Sequence, residues 1–217
     1  MAILAGPQWG PAAGGAAKQL VVLCHGLGAD GHDLIELAPY FAKGAPHALF
    51  VAPDAPEPCD MAPMGRQWFS LRDLDPDALA VGVLRGAKTL AAFIDAQLTR
   101  LGISDYALMG FSQGAMTVLF EGVRHAPPPK AVLAYSGALI APDALLAEMT
   151  ARPPMLIAHG EDDEVVPPFR SRDAAAALRA AGFAVETIFS PGLGHSMDEA
   201  GLAAGAALLA KVFGGEM

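Results

Sequence analysis

Cysteine is scarce: the 217-residue chain has two, Cys24 and Cys59. Two thiols make no disulfide framework, and Cys24 closes an apolar, strand-like run, so both are expected to be reduced. Basic residues are also few. Lys plus Arg number 14 against 23 Asp plus Glu, which sets a formal net charge of −9 and a pI near 5.0. That balance argues against a nucleic-acid partner and against docking on anionic lipid through a basic patch. No apolar run approaches transmembrane length, so no membrane insertion is expected. The opening stretch "MAILAGPQWGPAAGGAAKQ" lacks a basic n-region and a long apolar core, and does not read as a secretory signal. Together these absences set the expectation of a cytoplasmic location. There is no internal repeat, no H-E-x-x-H and no paired-cysteine spacing, and the scattered histidines show no ligand pattern. No metal and no other cofactor is therefore expected.

The chain is 53% hydrophobic and 17% charged. That suffices for one domain with a sizeable core, and the length is too short to expect two. Residues 1–17, with "PAAGGAA" near their end, read as a lead-in segment. Beyond them, short apolar runs alternate with longer helical patterns. Strands are expected at 19–25, 48–54, 105–109, 130–135, 154–158 and 184–189. Helices are expected at 33–42, where Pro39 kinks or ends the pattern, and at 77–102, 113–124, 142–149, 167–181 and 197–213. Residues 55–76, rich in Pro, Met and Asp, read as an excursion over the surface. Strands that are apolar throughout and alternate with helices imply an α/β fold, with a mainly parallel central sheet and helices on both faces. In such sheets chemistry lies beyond the carboxyl ends of the strands.

Two glycine-rich motifs sit at such ends. "GLGADG" (26–31) fits the dinucleotide pattern G-x-G-x-x-G, with Asp54 ending the next strand as that pattern requires. Two features count against it. His25 stands where a small apolar residue usually enters the turn, and Asp30 would put negative charge where a pyrophosphate should lie. The second motif, "GFSQG" (110–114), is a G-x-S-x-G bridging a strand and a helix, the nucleophile elbow of serine hydrolases. Gly110 and Gly114 would remove side-chain collisions at a sharp turn, lifting the Ser112 hydroxyl to a helix N-terminus that favours a developing anion.

A serine needs a base, and the base needs an acid. Three histidines follow Ser112. His125 ends the nucleophile helix on the wrong side, His159 begins the turn after strand 154–158, and His195 lies in a Gly-rich loop past the last strand. His195 is the base by elimination and position. The acid stays open: Glu161, Asp162, Asp163 and Glu164 in "HGEDDEVVP" compete with Asp143 and Asp198.

Taken together, "LCHGLGADGHDL", "RQWFS", "GFSQGAM", "HGEDDEVVP" and "GLGHSM" resemble the phospholipase/carboxylesterase family of α/β-hydrolases, from about Lys18 to the end. The resemblance implies the α/β-hydrolase fold and a triad of Ser112, Asp163 and His195. It also implies an oxyanion hole from the backbone amides of Leu27 and Gln113, with His25 and Gly26 shaping the Leu27 loop. Small-molecule esters would be the substrates: short- to medium-chain carboxylic esters or, as in some family members, lysophospholipids or acyl-protein thioesters; the compact 55–70 segment suggests an open, shallow site and favours the short- to medium-chain esters. The resemblance is compatible with a homodimer. Cys24, unusual before "HG", reads as a small buried hydrophobe. Met64, Trp68, Phe69, Phe111, Val165, Val166 and Met197 are candidate pocket residues. Trp68 and Phe69, which end the 55–70 part of the excursion nearest the active site, are expected to roof the acyl site. A catalytically idle, ligand-binding version of the same fold is the competing reading.

Overall fold

A computed structural model describes residues 4–214, with the side chains of Leu145 and Leu146 left aside. Strands β2 (Gln19–Cys24), β3 (Ala48–Val51), β6 (Tyr106–Phe111), β7 (Ala131–Tyr135), β8 (Met155–Gly160) and β9 (Val185–Ser190) form a parallel sheet in the order β3-β2-β6-β7-β8-β9. A short strand β1 (Gln8–Trp9) closes one edge by pairing antiparallel with β3. Part of the expected lead-in is thus built into the sheet, because Gln8 and Trp9 satisfy backbone groups of β3 that would otherwise face solvent.

Side-chain alternation along the strands splits the interior into two cores. In β2, Leu20, Val22 and Cys24 face one way and Val21 and Leu23 the other; Leu108 and Met109 divide likewise in β6. The first face is covered by α3 (Pro76–Leu101), α4 (Gln113–Gly122) and α6 (Phe169–Ala180). The second is covered by α1 (Gly31–Ile35), α2 (Ala38–Phe41) and α7 (Glu199–Phe213). The inner strands β2, β6, β7 and β8, with β3, carry almost no polar residue because both of their faces are buried, whereas the edge strand β9 is only partly buried and carries Glu186 and Thr187. Burial also pushes the Cys24 thiol far up its pKa scale, so it is an inert thiol within the sheet.

The expected helix over 33–42 is two short helices. Pro39 lies in the first turn of α2, where its missing N–H costs nothing, and the chain restarts there instead of continuing α1. The expected helix at 142–149 is a 3-10 turn (Pro142–Ala144) followed by α5 (Leu145–Glu148). Asp75 caps α3 through the amides of Asp77 and Ala78, with Pro76 in its first turn, and Gly102 ends it at φ 67°. The excursion contains a small hairpin, β4 (Glu57–Pro58) with β5 (Arg66–Gln67). Among the described residues no helix is long and apolar enough to cross a membrane.

Candidate active site

Ser112 joins β6 to α4 with φ 54° and ψ −118°. A positive φ at a non-glycine residue is held only where its surroundings overdetermine it. Here Ser112 N donates to Tyr135 O at 2.9 Å, and Ser112 O accepts from Met116 N at 3.1 Å. The flanking glycines are required by contact. A Cβ on Gly110 would lie 2.4 Å from the backbone of Gly114, and one on Gly114 would lie 1.9 Å from Cys24 O. The strand, the helix and the end of β2 therefore approach more closely than any side chain permits.

The 26–29 loop faces this turn. His25 is fully buried, and its ring is fixed as a neutral tautomer. Nε2 accepts from Ala55 N at 2.9 Å, so Nδ1 carries the proton and donates to Gly26 O at 2.7 Å. Burial lowers its pKa, outweighing the bond to Gly26 and the nearby Asp54, Asp30 and Asp33. The excursion buttresses the same loop. Gly28 N donates to Arg66 O, Arg66 N donates to Ala29 O, and a Cβ on Gly65 would lie 2.1 Å from Gly28 O. Among the described residues, neither the Leu27 nor the Gln113 amide N–H is taken by a protein acceptor. Both residues line the cavity that Ser112 enters.

"GLGADG" has other work than a dinucleotide. The Asp54 carboxylate accepts from Gly31 N at 2.9 Å, and Asp30 caps α1 through His32 N. The carboxylate that would hold a ribose is therefore engaged with the loop itself.

The three downstream histidines separate cleanly. His195 lines the cavity, and its Nδ1 donates to Asp163 Oδ2 at 2.6 Å. The other oxygen of Asp163 accepts from Val165 N and Val166 N, each at 2.9 Å. Burial pushes the Asp163 carboxyl upward, but the bond from His195 and the two amides outweigh it and hold it below the usual carboxylate range. The rival acids are elsewhere. Glu161 pairs with Arg172 at 2.7 Å, Asp198 caps α7 through Gly201 N, and Asp143, Asp162 and Glu164 are exposed. His159 sits buried behind Asp163. Among the described residues, no group takes up the Ser112 hydroxyl in a hydrogen bond.

His125 lies beyond α4, where Nδ1 meets Glu121 at 2.8 Å, Nε2 meets Asp95 at 3.3 Å and Tyr106 stands edge-on. Burial would lower its pKa, yet the bond and charge of Glu121, with Asp95, carry it above the ordinary histidine value. A histidine pKa raised by folding contributes stability that is complete below the unfolded value, about 6.5, and is lost as pH rises through the higher folded value. The stability margin of wild type over His125→Gln should therefore be largest below pH about 6.5 and shrink toward alkaline pH, as urea melts across that range would show.

The cavity at Ser112 has a volume of about 540 Å³. Of the candidate pocket residues, Phe111, Val165 and Val166 line it. Met197 instead lines a neighbouring 230 Å³ cavity shared with Phe111 and His195. Met64 is 93% exposed and edges a separate depression beside Gly28. Trp68 and Phe69 do not roof the site, since both are fully buried. Trp68 Nε1 donates to His25 O at 2.9 Å. The Gln113 side chain accepts from Trp68 N at 2.9 Å and donates to Phe69 O at 2.7 Å. Gly82 and Gly86 of α3 leave room for the pair: a Cβ on Gly82 would press on the Phe69 side chain at 3.2–3.5 Å, and one on Gly86 would lie 2.8 Å from Trp68 O. The two aromatics turn inward under α3, where their area is removed from water. The apolar wall comes instead from Leu71, Leu74, Leu79, Met116, Ala138 and Ile140, with Arg170 and Asp33 as its charged members. The signal for Leu71 and Leu74 is their place: leucines set among charges in the loop directly before α3.

The sheet order and the strand–turn–helix at Ser112 define an α/β-hydrolase fold. The phospholipase/carboxylesterase family matches residues 12–212, and the chain belongs to that family of hydrolases. It is 31% identical over 189 residues to Esterase YpfH of Escherichia coli (strain K12), covering 84% of this chain and 78% of that protein. It is 25% identical to acyl-protein thioesterase 1 of Gibberella zeae over 81% of this chain and 83% of that one. The crystal structure of esterase PE8 superimposes with a TM-score of 0.90 at 39% identity, covering 97% of this chain and all of that one.

Proposed function

We propose that this hydrolase is a serine carboxylesterase that cleaves short- to medium-chain carboxylic esters through an acyl-enzyme. The observation that carries the reading is the 2.6 Å bond from His195 Nδ1 to Asp163, made at the edge of the cavity that Ser112 and His195 both line. With its Nδ1 proton committed to Asp163, His195 presents Nε2 as an acceptor. Ser112 Oγ attacks the ester carbonyl while His195 takes its proton. The carbonyl oxygen becomes an oxyanion against the amides of Leu27 and Gln113; one such donor is typically worth about 3 kcal/mol in the barrier. His195 then protonates the departing alcohol, and the same base draws a proton from water to release the acid. Asp163 holds the imidazole in the needed tautomer and stabilises its charged form.

The apolar wall suits an acyl chain, and a volume of about 540 Å³ lies within the range of small-molecule sites. On nitrophenyl esters from acetate to palmitate, kcat/KM should peak at short to medium chains. A maximum at palmitate would favour the alternatives, an acyl-protein thioesterase or lysophospholipase. The likeness to esterase YpfH and esterase PE8 supports the ester reading, and the likeness to acyl-protein thioesterase 1 keeps thioesters in the panel. Absence of turnover on every ester and thioester would favour a binding protein. We further propose that residues 1–217 act as one domain, since the edge strand β1 and the excursion both pack onto the same sheet and loops.

A further inference from the structure

A second histidine stands against the acid. His159 lies in β8, and its side chain is fully buried. Its Nε2 is 2.8 Å from Val166 O and 3.0 Å from Asp163 Oδ2, the same oxygen that accepts from His195. A carbonyl and a carboxylate can only accept, so Nε2 must carry a proton. Its Nδ1 is 2.7 Å from Ser171 Oγ, and that hydroxyl also reaches Gly137 O at 2.9 Å. A hydroxyl can donate or accept, so Ser171 satisfies Nδ1 whichever way the ring is charged. The ring is thereby pinned between Ser171, at the start of α6, and the 163–166 turn, at which its Nε2–H is aimed.

We infer that His159 is a positioning residue for the acid: its Nε2–H closes the 163–166 turn at Val166 O and faces Asp163 Oδ2, holding that oxygen toward His195. The inference rests on reading Asp163 as the acid of the triad. The amides of Val165 and Val166 anchor only Oδ1. Without His159, Oδ2 would face only the imidazole it must orient, and Val166 O would lose its partner among the described residues. The carboxylate could then turn about its own axis, and the base would lose its single orientation at the step where it becomes charged.

The test compares His159→Gln, His159→Asn and His159→Leu. A glutamine amide nitrogen reaches the Nε2 position, whereas an asparagine amide reaches only the Nδ1 position. Kinetics on a short nitrophenyl ester across pH, with circular dichroism to verify folding, provide the readout. The Asn and Leu variants should lose kcat on the order of tenfold to a hundredfold, the rate equivalent of one hydrogen bond to a charged group. KM should stay within about twofold. Their acidic limb of kcat/KM should move to lower pH, because a carboxylate no longer held toward His195 stabilises the protonated base less. Gln should recover most of both effects. Equal activity of Asn and Gln, or a loss of kcat with the limb unmoved, would overturn the inference, and this pair decides it even if the Leu variant does not fold. Ser112→Ala and Asp163→Asn run alongside. Full turnover in those two would sink the triad reading itself, whereas dead controls beside unaffected His159 variants would sink only the role of His159.

Discussion

Asp163→Asn should lower kcat by about 10⁴-fold, the cost of the equivalent change in a serine protease triad, while Asp162→Asn leaves it nearly unchanged. The reason is a proton count. Asparagine keeps an oxygen for the amides of Val165 and Val166, so its NH2 takes the place of Oδ2. That NH2 would face His195 Nδ1, now 2.6 Å from an acceptor. Two donors cannot share that contact, so the proton moves to Nε2, and the base can no longer accept from Ser112. Asp162, one residue earlier, is exposed, and its backbone N–H donates to Leu193 O. Comparing kcat for the two variants on a short ester separates adjacent carboxylates by orders of magnitude. The reverse pattern would move the acid to Asp162.

The second large effect is on the fold. Gly114→Ala places a Cβ 1.9 Å from Cys24 O and 2.7 Å from His25 O. Both partners are backbone, so no rotamer relieves the contact; either α4 or the end of β2 must move. Clashes of this kind belong to the small class that cost more than about 4 kcal/mol. A fall in Tm of at least about 10 °C is expected for a chain of this size. Any residual folded enzyme should be slow as well, since β2 leads into the Leu27 loop and α4 begins at Gln113. A variant melting within a few degrees of wild type would show that the turn has more room than its geometry gives it.

These two residues also mark what can be read from sequence and what cannot. Gly114 was legible: a glycine two residues after a serine, at a strand–helix junction, has a steric meaning that needs no structure. The sheet was legible for a related reason, since strands buried on both faces carry near-continuous apolar runs such as "VVLC" and "VLAY". Asp163 was not legible from spacing. Four consecutive acids in a loop look alike until the loop turns one toward His195, gives one to Arg172 and leaves two in solvent; only the family resemblance singled it out. Trp68 and Phe69 misled because an aromatic pair in a loop near an active site has two destinations. What sends it inward is Gly82 and Gly86, a helical turn apart on α3, and the buried amide of Gln113. Those partners are separated from the pair by between 13 and 45 residues, and no local pattern connects them. Pro39 split a helix that periodicity alone would have drawn through.

The central claim is that Ser112 is the acylated nucleophile and that its reactivity depends on His195 and Asp163. Labelling with a fluorophosphonate probe, followed by peptide mapping, tests it most directly. Wild type should carry one adduct, on Ser112, and Ser112→Ala should carry none. His195→Ala and Asp163→Asn should label far more slowly while remaining folded. An adduct on any other residue, or a wild-type protein that stays unlabelled while hydrolysing esters, would contradict the account.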